Sequence, residues 1–444
     1  VIPTGRREFV LISLHTVLAA IWALGALWNV RSVSRFEAGL LALGLNLLFA
    51  LALGWWDDRL AASRTPEDRE WDRSVSLVLI VVASAFLFVT VLTGAVHDYA
   101  LYEDFWFVVQ LGRDPWFVQP GVWGVHPPNA YGPLFNLLAG VMSVNLLAPK
   151  LLFAATYIAA ATALTKTMAT RRQTSRFVVL LVWAWNPYVW VEVAIRGHFD
   201  VMVGAASVAA VHARRRGQDL PCAIALALGI LLKYIPITLL PFLALERGRV
   251  RGRLVVAMTV PIALGIGLSY LVWGPSMFGP LSFAATRHST YLSIFRFLRG
   301  RYSPLDELGL EVAPDQLALP ALALALLGVW WWCRTRQPDP ATAAVLAMLV
   351  TLLLYRNGYP QYQMVLLMLA SYCVAQTWEQ RRHRTALAIT LVGYFGWIVV
   401  FDVTYSLIGE GVPTFEDLVG LPTFALGCAL GACIVWSEPQ RSCG

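Results

Sequence analysis

Between residues 97 and 116 the chain reads His97-Asp98-Tyr99-Ala100-Leu101-Tyr102-Glu103-Asp104-Phe105-Trp106 and then Gly112-Arg113-Asp114-Pro115-Trp116. These acids and rings follow directly on an apolar run that ends near Gly94 and Ala95. Ionisable groups at the edge of lipid are costly to desolvate, so such a cluster is a functional candidate. A carboxylate placed there can take the proton from an attacking hydroxyl. The structural alternative is an interfacial helix with an aromatic belt and solvated acids. Asp98 is the candidate general base, although an aspartate at a helix start is also a good cap. Asp104 is its rival. Six residues along a helix turn through about 600°, so the two acids face different directions. Glu103 reads as solvated.

Further polar clusters interrupt apolar sequence downstream. They are His126-Pro127-Pro128-Asn129-Ala130-Tyr131-Gly132-Pro133, Glu192 with Arg196-Gly197-His198-Phe199-Asp200, Lys233-Tyr234, Arg287-His288-Ser289-Thr290, and Tyr355-Arg356-Asn357-Gly358-Tyr359-Pro360-Gln361-Tyr362. Arg and Lys hold phosphate by charge-assisted hydrogen bonds. Tyr and Trp offer flat apolar platforms with a polar edge, which suits a sugar. An acid to accept a proton and cations to stabilise a departing phosphate are the parts of a phosphate-leaving transfer reaction.

The elements that must position these groups are membrane helices. Hydrophobic residues make up 58% of the 444 and charged residues 14%, where a soluble domain carries about 25% charge. Apolar runs of the ~20 residues needed to cross a bilayer recur along the chain. The fold class is all-α, a polytopic transmembrane bundle of about 12–14 spans by the span-length rule. The whole chain reads as one integral-membrane domain: N-terminal spans at 1–74, a catalytic core at 75–378 and C-terminal spans at 379–444.

The net charge of +7 comes from basic residues spread over short loops. That is the positive-inside pattern rather than a phosphate-tracking stripe, so nucleic acid is not a partner. The six cysteines form no CxxC and lie mostly in apolar runs, which argues against a disulfide framework or a zinc site. No HxxxH or comparable ligand spacing joins His97, Asp98, Asp104, His126, His198 and Asp200, so no metal is assigned.

If the basic loops are cytoplasmic, both termini are cytoplasmic as well, and every polar cluster falls at the outer ends of spans. This registration requires that Pro133–Ala148 be re-entrant or interfacial and that Leu151–Met168 cross. The expected location is the cytoplasmic membrane, multi-pass, with the site on its extracytoplasmic side. The inferred reaction is transfer of a glycosyl group from a polyprenyl-phosphate sugar to an acceptor hydroxyl. No P-loop or GxGxxG is evident.

Several of these motifs carry a resemblance. The chain resembles integral-membrane glycosyltransferases of the GT-C superfamily, nearest to the family-87 and other polyprenol-phosphate-mannose-dependent enzymes. Asp98, Tyr102, Gly112 and Asp114-Pro115-Trp116 are similar in spacing to that group's first extracytoplasmic loop. His126-Pro127-Pro128 stands where the group has Tyr-Pro-Pro. Asn186-Pro187 with Gly197-His198-Phe199-Asp200, Lys233 with Pro236, and Tyr359-Pro360-Gln361-Tyr362 resemble its later motifs.

The resemblance implies an inverting, metal-independent hexosyltransferase, of the mannosyltransferase kind, that needs no cofactor beyond its lipid-linked sugar. Its partners would be a polyprenyl-phosphate donor, a lipid or glycan acceptor and membrane lipids. Asp98 is the expected catalytic residue. Tyr102, Asp104, His126, Arg196, His198, Asp200, Lys233, Arg287, His288, Tyr359 and Gln361 are expected at substrate, with Lys233, Arg196 and Arg287 on the donor phosphate. The competing readings are a transporter or lipid flippase, since intramembrane charges also mark pathways, and a non-catalytic scaffold.

Overall fold

The computed structural model describes residues 33–61, 66–96, 98–116, 129–167, 186–300, 314–408 and 417–438. The expected first span Phe9–Trp28, His97, His126 and the first half of the span Phe177–Ala194 lie outside the described residues. The chain packs into two units, one of residues 1–111 with 137–199 and one of residues 112–136 with 200–444.

In chain order the first unit contains α1 (Val33–Ala61), α2 (Pro66–Thr93) and α3 (Asp98–Gln110). A short helix α4 (Pro133–Asn136) belongs to the second unit. The first unit resumes with α5 (Leu138–Met142), α6 (Ala148–Thr167) and α7 (Pro187–Val189), which runs into a π-helix at Trp190–Ile195. The second unit then holds α8 (Asp200–Arg215), α9 (Asp219–Leu232), α10 (Leu240–Leu243), α11 (Gly252–Trp273), α12 (Gly279–Thr286), α13 (Ile294–Arg299), α14 (Pro314–Arg336), α15 (Pro340–Leu354), α16 (Gln363–Thr377), α17 (Arg384–Ile408) and α18 (Gly420–Ser437).

Among the described residues seven helices are long and apolar enough to cross a membrane, and eight if the bent pair α7–π-helix and α8 counts as one span. The protein is an all-α, multi-pass membrane bundle. Among the described residues the apolar runs are not all continuous helices. Tyr234–Leu245, expected as a span, is a 3-10 turn at Ile235–Leu239 followed by the four-residue α10. Pro236 and Pro241 remove the amide hydrogens a continuous helix would need there. Pro133–Met142, at ten residues, would extend about 15 Å as a helix, half of a hydrocarbon core of about 30 Å.

Local chemistry sets the ends of these helices. Asn186 caps α7 by accepting from the Tyr188 amide, with Pro187 at the first helical position, where proline's fixed φ is pre-organised and its missing N–H costs nothing. Asp339 and Pro340 repeat the device at α15. The core of the second unit is α15 and α16, buried along nearly their whole length, as helices apolar on every side should be. By contrast α11 and α14 keep most of their surface outward, the distribution expected where lipid is the solvent.

Two arginines that sequence assigns to loops are buried. Arg214 donates to the carbonyls of Leu243 and Leu245. Arg381 donates to Thr377, Ser437, Thr342 and the Ile434 carbonyl, tying α15, α16 and α18 together.

Candidate active site

In the first unit, Asp98 opens α3 four residues after the turn at Gly94, in the first turn of the helix. Backbone amides point out of a helix N-terminus, so a carboxylate is favoured there. Asp98 Oδ2 lies 3.0 Å from His198 Nε2, and the Asp98 side chain retains 43% of its exposure. His198 Nδ1 in turn bonds Glu192 Oε2. Glu192 Oε1 holds Arg196 Nη1 at 2.5 Å, and the Glu192 side chain is fully buried.

Carboxylates only accept hydrogen bonds, so a histidine shared by two of them donates from both ring nitrogens and is an imidazolium. Two acids and two cations therefore form one line, Asp98–His198–Glu192–Arg196, whose formal charges cancel.

The π-helix is what permits this line. Its wider turn lets the Arg196 amide bond the Val191 carbonyl, and the His198 amide then bonds the Glu192 carbonyl. Glu192 thus binds His198 through both main chain and side chain. π-turns of this kind recur at functional sites. Gly197 follows with φ +74°, and a Cβ there would lie 2.8 Å from the Tyr99 ring and 3.0 Å from Lys150 Cε. Only glycine fits.

The structure places the sequence candidates of this unit unequally. Asp98, Arg196 and His198 come together. Tyr102 is completely buried, its ring packed against Trp106, Phe199 and His198, so it supports the site instead of presenting a platform. Asp104 is half-buried, and the α3 acid placed 3.0 Å from His198 Nε2 is Asp98. Glu103, expected in solvent, has a buried Oε1 with no hydrogen-bond partner. Burial and the adjacent Asp104 push its carboxyl up to about 7, with Lys150 pulling the other way.

Sequence reasoning grouped Glu192 with this cluster but gave it no role. A carboxylate inside an apolar run four residues before an arginine and six before a histidine was the available signal. Lys150 was missed altogether.

In the second unit, α9 ends at Lys233, whose backbone is extended. The Lys233 ammonium sits 2.6 Å from Asp200 Oδ1, with both side chains buried. It also lies 3.8 Å from the centroid of the Tyr362 ring and 5.7 Å from that of Tyr131, within cation–π range. Gly132 allows this approach: its amide bonds the Leu232 carbonyl, and a Cβ would stand 2.1 Å from the Leu231 oxygen.

A second group in this unit is built on a short parallel pair, Thr290–Tyr291 with Asn357–Gly358. Arg287 bonds the Tyr359 hydroxyl and lies over that ring. Arg356 donates to the carbonyls of Arg287 and Asp315. The Asp315 carboxylate accepts from His288 and Arg299. His288 is largely exposed, and Gln361 is buried.

Among the described residues no group of three or more His, Cys, Asp or Glu side chains is arranged to hold a metal ion. Comparison with curated proteins finds no match. Residues 129–355, just over half of the chain, match glycosyltransferase family 87. The matched stretch contains Glu192, His198, Lys233 and Arg287, while Asp98 precedes it. The chain belongs to glycosyltransferase family 87.

Proposed function

We propose that this family-87 protein transfers a glycosyl group, mannosyl in our reading, from a polyprenyl-phosphate-linked sugar to a hydroxyl of a lipid or glycan acceptor. The reaction takes place on the extracytoplasmic side of the membrane. The observation that carries the reading is the Asp98–His198–Glu192 line, which presents a partly exposed carboxylate at the exit of a membrane helix.

Asp98 takes the acceptor's hydroxyl proton as that oxygen bonds to the anomeric carbon. The bond from the anomeric carbon to the phosphate oxygen breaks, and its electron pair leaves with polyprenyl phosphate. One displacement inverts the anomeric centre. The His198 imidazolium keeps Asp98 ionised before attack and fixes the direction of its carboxylate.

Arg287 and Lys233 are our candidates for the donor phosphate. Arg287 is the stronger, because its side-chain partner is a neutral hydroxyl whereas Lys233 is already paired with Asp200. Arg196, paired with Glu192, is assigned to supporting His198. Family membership favours transfer over the transport and scaffold readings.

The test is incubation of the purified full chain in lipid nanodiscs with polyprenyl-phosphate mannose and a lipid extract as acceptor. Release of polyprenyl phosphate with a new glycolipid is expected, and Asp98→Asn should lower the rate by a factor of about 100 or more. An unimpaired Asp98→Asn variant would overturn the assignment of the base. Failure to cleave this donor, alongside cleavage of another lipid-linked sugar, would overturn the assignment of the sugar.

A further inference from the structure

Lys150 occupies the first turn of α6 and is completely buried. That position is unfavourable for α6 itself, because a cation at a helix N-terminus opposes the helix dipole. Its surroundings explain it. The ammonium donates to Thr93 Oγ1 at 2.9 Å, to the Gly94 carbonyl at 2.7 Å and to the Ile195 carbonyl at 2.7 Å.

These acceptors are the C-terminal ends of α2 and of the π-helix, where carbonyls lack intrahelical partners and a cation is favoured. Thr93 Oγ1 also bonds the Ala194 carbonyl at 3.0 Å, so the two ends are joined twice. The Lys150 amide donates to the Tyr99 hydroxyl, and the ammonium lies 5.8 Å from the Tyr99 ring centroid.

Gly94 is four residues before Asp98, and Ile195 is three before His198. The two chain ends that carry the base and its imidazolium are therefore fastened to one side chain.

We propose that Lys150 is a positioning residue for the transfer reaction, holding the Asp98 and His198 chain ends in the register that forms the Asp98–His198 bond. The proposal rests on the reading of Asp98 as the base. Without the ammonium, the Gly94 and Ile195 carbonyls lose their common donor, and Asp98 spends more time away from the imidazolium. The rate falls through misplacement, where about 1 Å can cost on the order of 100-fold. The carboxylate, less often beside a positive charge, also protonates at higher pH.

The experiment compares wild type, Lys150→Met, Thr93→Val and Asp98→Asn as full chains in nanodiscs, recording kcat, KM and the pH dependence of kcat for release of polyprenyl phosphate from polyprenyl-phosphate mannose. Lys150→Met should lower kcat by about 100-fold with KM within about twofold, and move the midpoint of the acid limb upward by about one pH unit. Thr93→Val should move the midpoint in the same direction by less.

A purely structural lysine would reduce the active fraction and leave that midpoint in place. An unmoved midpoint in Lys150→Met overturns the proposal. If that variant does not fold, an unmoved midpoint in Thr93→Val does so. Activity retained by Asp98→Asn identifies the base assignment, rather than the role of Lys150, as the failure.

Discussion

His198 Nε2 lies 3.0 Å from Asp98 Oδ2 across a hundred residues of chain. The histidine stands behind the acid rather than in front of it, since its other nitrogen is taken by Glu192. His198→Gln should therefore act through kcat, with a loss on the order of 100-fold from misorientation of Asp98. KM for the donor should stay close to wild type. A raised KM with unchanged kcat in steady-state assays would instead make His198 a substrate ligand.

Glu192 serves two cations at once. Glu192→Gln removes the charge that neutralises Arg196 in a buried setting, and deleting one partner of a buried pair typically costs about 3–5 kcal/mol. Thermal unfolding in detergent should show a clearly lower Tm for Glu192→Gln. The double variant Glu192→Gln with Arg196→Met should recover much of that loss, because the guanidinium that faces the Glu192 carboxylate is removed with it. Equal Tm values for wild type and the single variant would remove the pair from the stability of the site.

Membrane class and family were legible in the sequence, and Asp98, His198 and Lys233 stood out as candidates because charges that interrupt apolar runs are conspicuous. Partnership was not. Nothing in the spacing of Glu192 and His198 announces a π-turn, and an ordinary α-helix would have carried the two side chains apart. Lys150 directly precedes an apolar run and resembles any flanking cation, so its burial on two helix ends is visible only in three dimensions. Tyr102 has the composition of a sugar platform, but helical periodicity turns it toward Trp106 and Phe199. The break within Tyr234–Leu245 was hidden for a related reason. Hydropathy does not register the breaks that Pro236 and Pro241 impose.

Lys233 and Asp200 form a buried pair that also meets the Tyr362 ring. Lys233→Met should destabilise the protein by about 3–5 kcal/mol by leaving the Asp200 carboxylate without its ammonium. Adding Asp200→Asn should restore much of the Tm. If Lys233 holds the donor phosphate, transfer should remain low in the stable double variant, mainly through a raised KM for the donor. Recovery of both Tm and activity in the double variant would make the pair structural only.

Glu103 gives the fold a pH dependence of unusual sign. Its carboxyl is pushed from about 4.5 to about 7, first by burial and then by Asp104. Below pH 4.5 it is protonated in both the folded and unfolded chains and contributes no difference. Between pH 4.5 and 7 the folded state keeps a proton that the unfolded state has released, so stability falls as pH rises. Above pH 7 the cost of the buried charge is fully present.

Glu103→Gln cannot ionise and escapes that cost. Its Tm should exceed that of wild type at pH 8, and the gap should close as the pH is lowered to 4. Because the side chain is only partly buried, solvent screening keeps the gap to a few degrees. Parallel Tm curves for the two proteins from pH 4 to 8 would show that the Glu103 carboxyl is solvated in the folded state. Closure of the gap at low pH, with no change in the rate per folded molecule, would assign the group to stability alone and leave the proton chemistry to Asp98.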